Sequence, residues 1–176
     1  AGLVDDILDT ARIITGRLKL DAHPVEIERV FQAAIDVIRP SAEAKRIALQ
    51  VVSDDRSGIV LGDANRVQQV IWNLLSNAVK FTSEGGRVEA RLSRIEDHVE
   101  ITVTDTGMGI DPQFLPYVFD RFRQADSTST RRHSGLGLGL AIVRHVVEMH
   151  GGTVGASSPG KEKGATFKVR FPIASA

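Results

Sequence analysis

Cysteine is absent from this chain of 176 residues, so neither a disulfide framework nor a thiolate metal site is open to it. That absence leaves the compartment undecided. No apolar run is long enough to span a bilayer, and no secretory leader is visible. Excess charge is missing too. Lys+Arg and Asp+Glu both number 22, so bulk charge points neither to nucleic acid nor to a membrane surface. No Gly-Lys-Ser/Thr occurs, which excludes a Walker phosphate loop, the stretch Gly160 to Thr166 included. The ordinary apolar share and the length predict one soluble, cytosolic globular domain with at most a short attached segment. The opening Ala1-Gly2-Leu3 reads as a cut from a longer protein.

What is present centres on Val70-Ile71-Trp72-Asn73-Leu74-Leu75-Ser76-Asn77-Ala78-Val79-Lys80-Phe81-Thr82. Val67, Val70, Ile71, Leu74 and Ala78 recur at helical period and predict a core-packed amphipathic helix, with Asp63 as its N-cap. The other side carries Arg66, Asn73, Asn77 and Lys80, the last three at i, i+4 and i+7 on one face. Asparagine is a mediocre helix former, because its amide competes for backbone hydrogen bonds. Two on one stripe with a lysine beyond suggest a chemical use. A neutral amide oxygen can ligate a hard cation without repelling a phosphate that shares it. A plain solvated face remains the alternative at this point.

Elsewhere the pattern alternates between helices and strands. Val4, Ile7, Ala11, Ile14 and Leu18, with Leu3 and Leu8 beside them, predict a helix over Leu3 to Leu18, packed on its own domain or in a bundle. Arg17 to Ala22 alternates as a short strand, and Pro24 suits the first turn of a second helix. Ile47 to Val52 and Ile59 to Leu61 read as strands. Val88, Ala90 and Leu92, then Val99, Ile101 and Val103, predict a hairpin turning near Glu96-Asp97. A short helix follows Asp111-Pro112, then a long polar stretch, Arg123 to Ser134, of the kind that forms lids. A further helix runs from Leu138 to His150 and ends at Gly151-Gly152. Thr153 to Ala156 and Ala165 to Phe171 close the chain as strands, with Phe167, Val169 and Phe171 inward. The sum is an α+β two-layer sandwich, with helices on one face of a mixed, largely antiparallel sheet.

Two glycine-bearing segments add chemistry. Continuing Val99, Ile101, Val103 by one step puts Asp105 inward at a strand end, where a carboxylate is unfavourable without a donor. The exocyclic amino group of adenine is such a donor, whereas guanine offers a carbonyl acceptor. Gly107 and Gly109 allow close backbone approach to a ligand, although Asp and Gly are also ordinary in a tight turn. Asp105-Thr106-Gly107 matches the Asp-Thr-Gly of aspartic proteases as well. That chemistry needs a second carboxylate and would leave the asparagine helix idle. Ser134-Gly135-Leu136-Gly137-Leu138-Gly139-Leu140-Ala141 opens a helix whose free N–H groups suit phosphate oxygens. A dinucleotide fingerprint would need a strand immediately before it, and none is indicated.

Asn73/Asn77/Lys80, Asp105/Gly107/Gly109, Phe119-Asp120-Arg121-Phe122 and Gly135/Gly137/Gly139 follow one another in a distinctive order. Together they resemble the asparagine, first glycine, phenylalanine and second glycine boxes of the sensor histidine kinase catalytic and ATP-binding domain. That domain shares the Bergerat fold with type II topoisomerases and certain chaperones. The resemblance covers Leu18 to Pro172, with residues 1–18 similar to the end of the family's second dimerisation helix and 19–176 as the catalytic domain.

The resemblance implies ATP and Mg²⁺ as ligands. Asn77 would hold Mg²⁺, Asn73 would support the phosphates and Lys80 would contact them. Asp105 would read the adenine, with Gly107, Gly109 and Ile110 around it. Phe119 and Phe122 would anchor a lid, and Ser134, Gly135, Leu136, Gly137, Leu138 and Gly139 would fold over the phosphates. Thr166 matches a family position near the base, although alternation from Phe167 puts it on the other face of its strand. The partners implied are the parent kinase's dimerisation and histidine-phosphotransfer domain and a response regulator receiver domain, in a homodimeric parent. One feature departs from the family. His23, His98, His133, His145 and His150 are none of them followed by an acidic residue, so the phosphate acceptor is expected elsewhere.

Overall fold

The computed structural model describes residues 2–54, 56–123 and 136–175. The predicted lid stretch falls almost wholly outside them, as do Ser134 and Gly135. Helix α1 (Leu3–Ile14) leads to β1 (His23–Glu26), α2 (Ile27–Ala44), β2 (Ala48–Ser53), β3 (Ile59–Gly62) and α3 (Ala64–Phe81). The hairpin β4 (Arg87–Ile95) and β5 (His98–Asp105) follows, then a 3-10 turn at Leu115–Tyr117. Helix α4 (Gly139–Met149) and strands β6 (Thr153–Ser157) and β7 (Ala165–Pro172) complete the order. Five strands form one sheet in the order β2-β4-β5-β7-β6, antiparallel except for the parallel β2–β4 pair.

The core lies between that sheet and α2, α3 and α4. Val88, Ala90, Leu92, Val99, Ile101, Val103, Val169 and Phe171 point into it from the strands. Phe31, Ile35, Val67, Ile71, Leu74, Ile142 and Val146 meet them from the helices. The predicted hairpin and its Glu96-Asp97 turn are both present, with Val103 opposite Ala90. This is the expected two-layer sandwich.

Three local expectations are corrected. Arg17 to Ala22 forms no strand; the strand is β1, four residues long, paired antiparallel with β3 in a separate two-stranded ribbon. Pro24 therefore sits opposite Leu61 in a strand rather than in the first turn of a helix, and α2 starts at Ile27. A ribbon paired on one side only tolerates a residue without an N–H, and burial of Val25 against Val60 favours the pairing.

Helix α1 stops at Ile14, before Gly16 at φ +65, instead of reaching Leu18. It packs through Asp9, Thr10 and Ile13, while Val4, Ile7, Leu8 and Ile14 are exposed. Asp9 explains the orientation. Its carboxylate accepts from Arg66 Nη1 at 2.6 Å and Gln69 Nε2 at 2.9 Å on α3. Burial pushes the Asp9 pKa up, but these hydrogen bonds and the two neighbouring arginines outweigh it, leaving it below the usual carboxylate range.

The site helix α3 is fixed at both ends. Asp63 caps its start, accepting from the N–H groups of Asn65 and Arg66 at 3.1 and 3.2 Å. The His150 ring, at the end of α4, donates through Nδ1 to the Val146 carbonyl and accepts at Nε2 from Asp63 N–H. At the far end the ammonium of Lys45 donates to the carbonyls of Val79, Lys80 and Thr82, at 2.7, 3.1 and 2.6 Å. A cation is well placed among the last carbonyls of a helix. Lys45→Met should lower the unfolding free energy by about 2 kcal/mol, since charged hydrogen bonds are replaced by unpaired half-buried carbonyls. Denaturant titration of both proteins measures it.

Candidate functional site

The carboxylate of Asp105 ends β5 on the core side, opposite Ala165 of β7, and is buried. It accepts from Gly107 N–H at 2.8 Å and from the backbone of Ala165. Burial is the larger influence and raises its pKa above the ordinary carboxylate value despite those two bonds. A carboxylate oxygen is thus held at a strand end by donors that leave it capacity for another bond.

The segment after Asp105 leans on the end of the asparagine helix. Met108 N–H donates to the Phe81 carbonyl at 3.1 Å. A Cβ on Gly107 would lie 2.3 Å from that same carbonyl oxygen, so the approach requires glycine there. Gly109 has φ +66 and would place a Cβ 2.0 Å from the Gly160 carbonyl oxygen. The first glycine box is therefore wedged between α3 and the β6–β7 loop. Ile110 is buried beside it.

On α3 the stripe is not uniformly solvated. Asn73 is buried, and its amide donates to the Gly139 carbonyl at 3.3 Å, in the first turn of α4. Asn77 is half-buried and makes no side-chain hydrogen bond among the described residues. Lys80 is also half-buried, which depresses its pKa, and its ammonium lies 5.3 Å from the centre of the Phe81 ring. Among the described residues no side chain caps the start of α4, whose first turn lies beside Asn73.

The remaining expected residues divide. Gly137, at φ +68, accepts at its carbonyl from Phe122 N–H and packs on the Arg123 backbone, joining the second glycine box to the phenylalanine box. Leu138 is buried, Leu136 exposed. Phe119 packs edge-on to Phe167 with ring centres 6.1 Å apart. Phe122 does not; its side chain is 63% exposed on a backbone at φ +58. Thr166 is not brought to the site. Its hydroxyl meets Thr104 at 3.1 Å on the opposite face of the sheet, because the strand's alternation turns Phe167 inward.

Ala165 holds the position beside Asp105, a contact that sequence reasoning missed. An alanine carries no signal, and only the β5–β7 register reveals it. Lys45 was missed for the same reason, its partners lying more than thirty residues away.

Asp105 gives a pH signature with two opposed trends. Its folded pKa is raised, so its contribution to stability is full below the unfolded pKa and is lost as pH rises through the folded one. If Asp105 reads a base amino group as the resemblance implies, it must do so ionised, and nucleotide affinity should instead fall as pH drops through that raised pKa. The fall should shrink in Asp105→Asn, which titration calorimetry of both proteins at stepped pH would show.

A mixed sheet under helices, a buried strand-end carboxylate, an asparagine helix and a glycine-led helix stand together, in the arrangement that the resemblance implied. Residues 62–175 match the model of the histidine kinase-, DNA gyrase B- and HSP90-like ATPase family, and the chain belongs to that family. Hybrid signal transduction histidine kinase D of Dictyostelium discoideum is 39% identical over 97% of this chain and 13% of that protein. The circadian input-output histidine kinase CikA of Synechococcus elongatus is 35% identical over 97% of the chain and 23% of its own length. Full-length ShkA in complex with AMPPNP superposes with a TM-score of 0.83 at 34% identity, covering 99% of this chain and 36% of that one. The mycobacterial sensor histidine kinase MprB gives 0.76 at 34% identity, covering 85% and 97%. The chain thus corresponds to the catalytic ATP-binding domain of sensor histidine kinases and spans a minor part of its curated relatives. Among the described residues no helix is long and apolar enough to cross a membrane.

Proposed function

We propose that this domain binds Mg-ATP and donates the γ-phosphoryl group to a histidine on a separate dimerisation domain. The observation that carries the reading is the junction of three elements. Asp105 stands beside Gly107 and Met108, that loop is bonded to the end of α3, and α3 reaches the start of α4 through Asn73. Asp105 would accept from the adenine amino group, and the α4 start would receive phosphate oxygens.

The residues present fit Mg²⁺. Asn77 offers a neutral amide oxygen with no partner among the described residues, on the same helix as Lys80. When bound, the ion neutralises charge on the transferring phosphoryl group. Asn73 would orient the start of α4, and Lys80 would add a cation near the phosphates. Phosphoryl transfer asks little covalent chemistry of a protein, so positioning and charge are the contributions expected.

An ATP hydrolase would need a carboxylate base near the asparagines, and α3 from Asn65 to Lys80 has none. A nucleotide-binding module without catalysis is distinguished by its failure to phosphorylate an acceptor. Helix α1, with an exposed apolar row, suits the last part of a dimerisation helix in a homodimeric, cytoplasmic catalytic region. A response regulator receiver domain would then take the phosphate downstream. Calorimetric titration with Mg-ATP and Mg-GTP tests the binding half of this reading. Preferential ATP binding is expected; no binding of either would refute it.

A further inference from the structure

We infer that Ser158 is a positioning residue of the base pocket, locking the loop that carries Gly107, Gly109 and Ile110 in its working shape. The inference rests on the nucleotide reading above. Ser158 lies just past the end of β6, outside every box of the resemblance, yet its hydroxyl is the hub of two loops. It accepts from Ile110 N–H at 3.0 Å and from Gly160 N–H at 3.2 Å. It donates to the Gly164 carbonyl at 2.7 Å, with the Gly160 carbonyl at 3.2 Å as a second acceptor. A hydroxyl has one proton and two lone pairs, so this oxygen is fully committed.

The bonds matter because of what they join. Gly164 precedes Ala165, whose backbone holds Asp105, and Gly164 N–H donates to the Gly107 carbonyl at 3.1 Å. Glu162 N–H donates to the Met108 carbonyl at 2.6 Å, and Lys161 pairs with Asp111 at 3.1 Å. The loop after β5 and the loop before β7 therefore form one wall, with Asp105 at its inner end. The backbone contacts run along it from Gly107 to Met108, and Ile110 N–H is tied by Ser158. Among the described residues no carbonyl takes that N–H. Alanine at 158 would leave Ile110 N–H and the Gly164 carbonyl without their partner, and the wall would relax around Gly109.

The test compares Ser158→Ala, Ser158→Thr and the exposed neighbour Ser157→Ala by calorimetry with ATP, ADP and GTP, with and without Mg²⁺. Ser158→Ala should raise the dissociation constants for ATP and ADP alike, by about fivefold or more, and reduce the preference for ATP over GTP. Its ratio of affinities with and without Mg²⁺ should stay at the wild-type value, because the asparagine helix is untouched. Ser158→Thr keeps the hydroxyl and should restore binding; Ser157→Ala should change nothing. A role in stability alone would lower the melting temperature and leave affinity and base preference intact at a temperature where the variant is folded. Wild-type affinity in Ser158→Ala, or a folded Ser158→Thr as weak as alanine, would overturn the inference. Should Ser158→Ala fail to fold, amide exchange in the nucleotide-free wild type decides: a protected Ile110 N–H is expected, and rapid exchange there overturns the inference. Wild-type protein that binds no ATP would instead refute the nucleotide reading, which separates the two failures.

Discussion

Asp105→Ala is expected to weaken ATP binding by about tenfold or more and to erase the preference for ATP over GTP. A hydrogen bond to a charged acceptor contributes roughly 1.5–3 kcal/mol, and each 1.4 kcal/mol is about a factor of ten in affinity. The carboxylate is buried and already held by Gly107 and Ala165, so it is oriented before any base arrives and loses little entropy on binding. Guanine presents a carbonyl where adenine presents an amino group, so a carboxylate there repels one base and binds the other. Alanine leaves Gly107 N–H and the Ala165 backbone without this acceptor, so affinity is compared at a temperature where the variant is folded. Equal affinity of the wild type for both nucleotides would contradict the assignment.

Asn77→Ala should abolish the Mg²⁺-dependent part of ATP binding while leaving the fold intact. Its amide is half-buried with no partner among the described residues, so its loss orphans no group among them. Alanine is also the better helix former, by a few tenths of a kcal/mol. Asn73→Ala makes the contrast. That amide is buried and reaches Gly139, so its removal should disturb the start of α4 as well as the phosphates. Titration with and without Mg²⁺ separates the two residues. Undiminished Mg²⁺ dependence in Asn77→Ala would return that position to a solvated face.

Most of the architecture was legible in the sequence because the signals are local. Asp63 caps α3, the alternation from Val88 to Val103 makes the hairpin, and Gly151-Gly152 end α4. Non-local pairing was not legible. Pro24 looks like a helix start until β3 is known to lie beside it, and Arg17 to Ala22 alternates without a neighbouring strand to pair with. Helix α1 shows the limit of periodicity, since a part-buried Asp9–Arg66 bond holds the face that packs while the apolar row stays outside. Within the site, side chains with distinctive chemistry were found from sequence. The wall built from Ser158, Gly164 and Ala165 was not, because its members act mainly through backbone groups and one common hydroxyl.

The central claim is that this domain is the phosphate-donating half of a histidine kinase. No histidine of the chain is followed by an acidic residue, which is why the acceptor is sought on another domain. The direct measurement is transfer from γ-labelled Mg-ATP to the dimerisation domain of the parent protein, incubated with this chain. The account predicts acid-labile phosphate on a histidine of that domain, none on this chain, and loss of transfer in Asn77→Ala. An acceptor that stays unlabelled while ATP is bound, or acid-labile label on this chain alone, would contradict it.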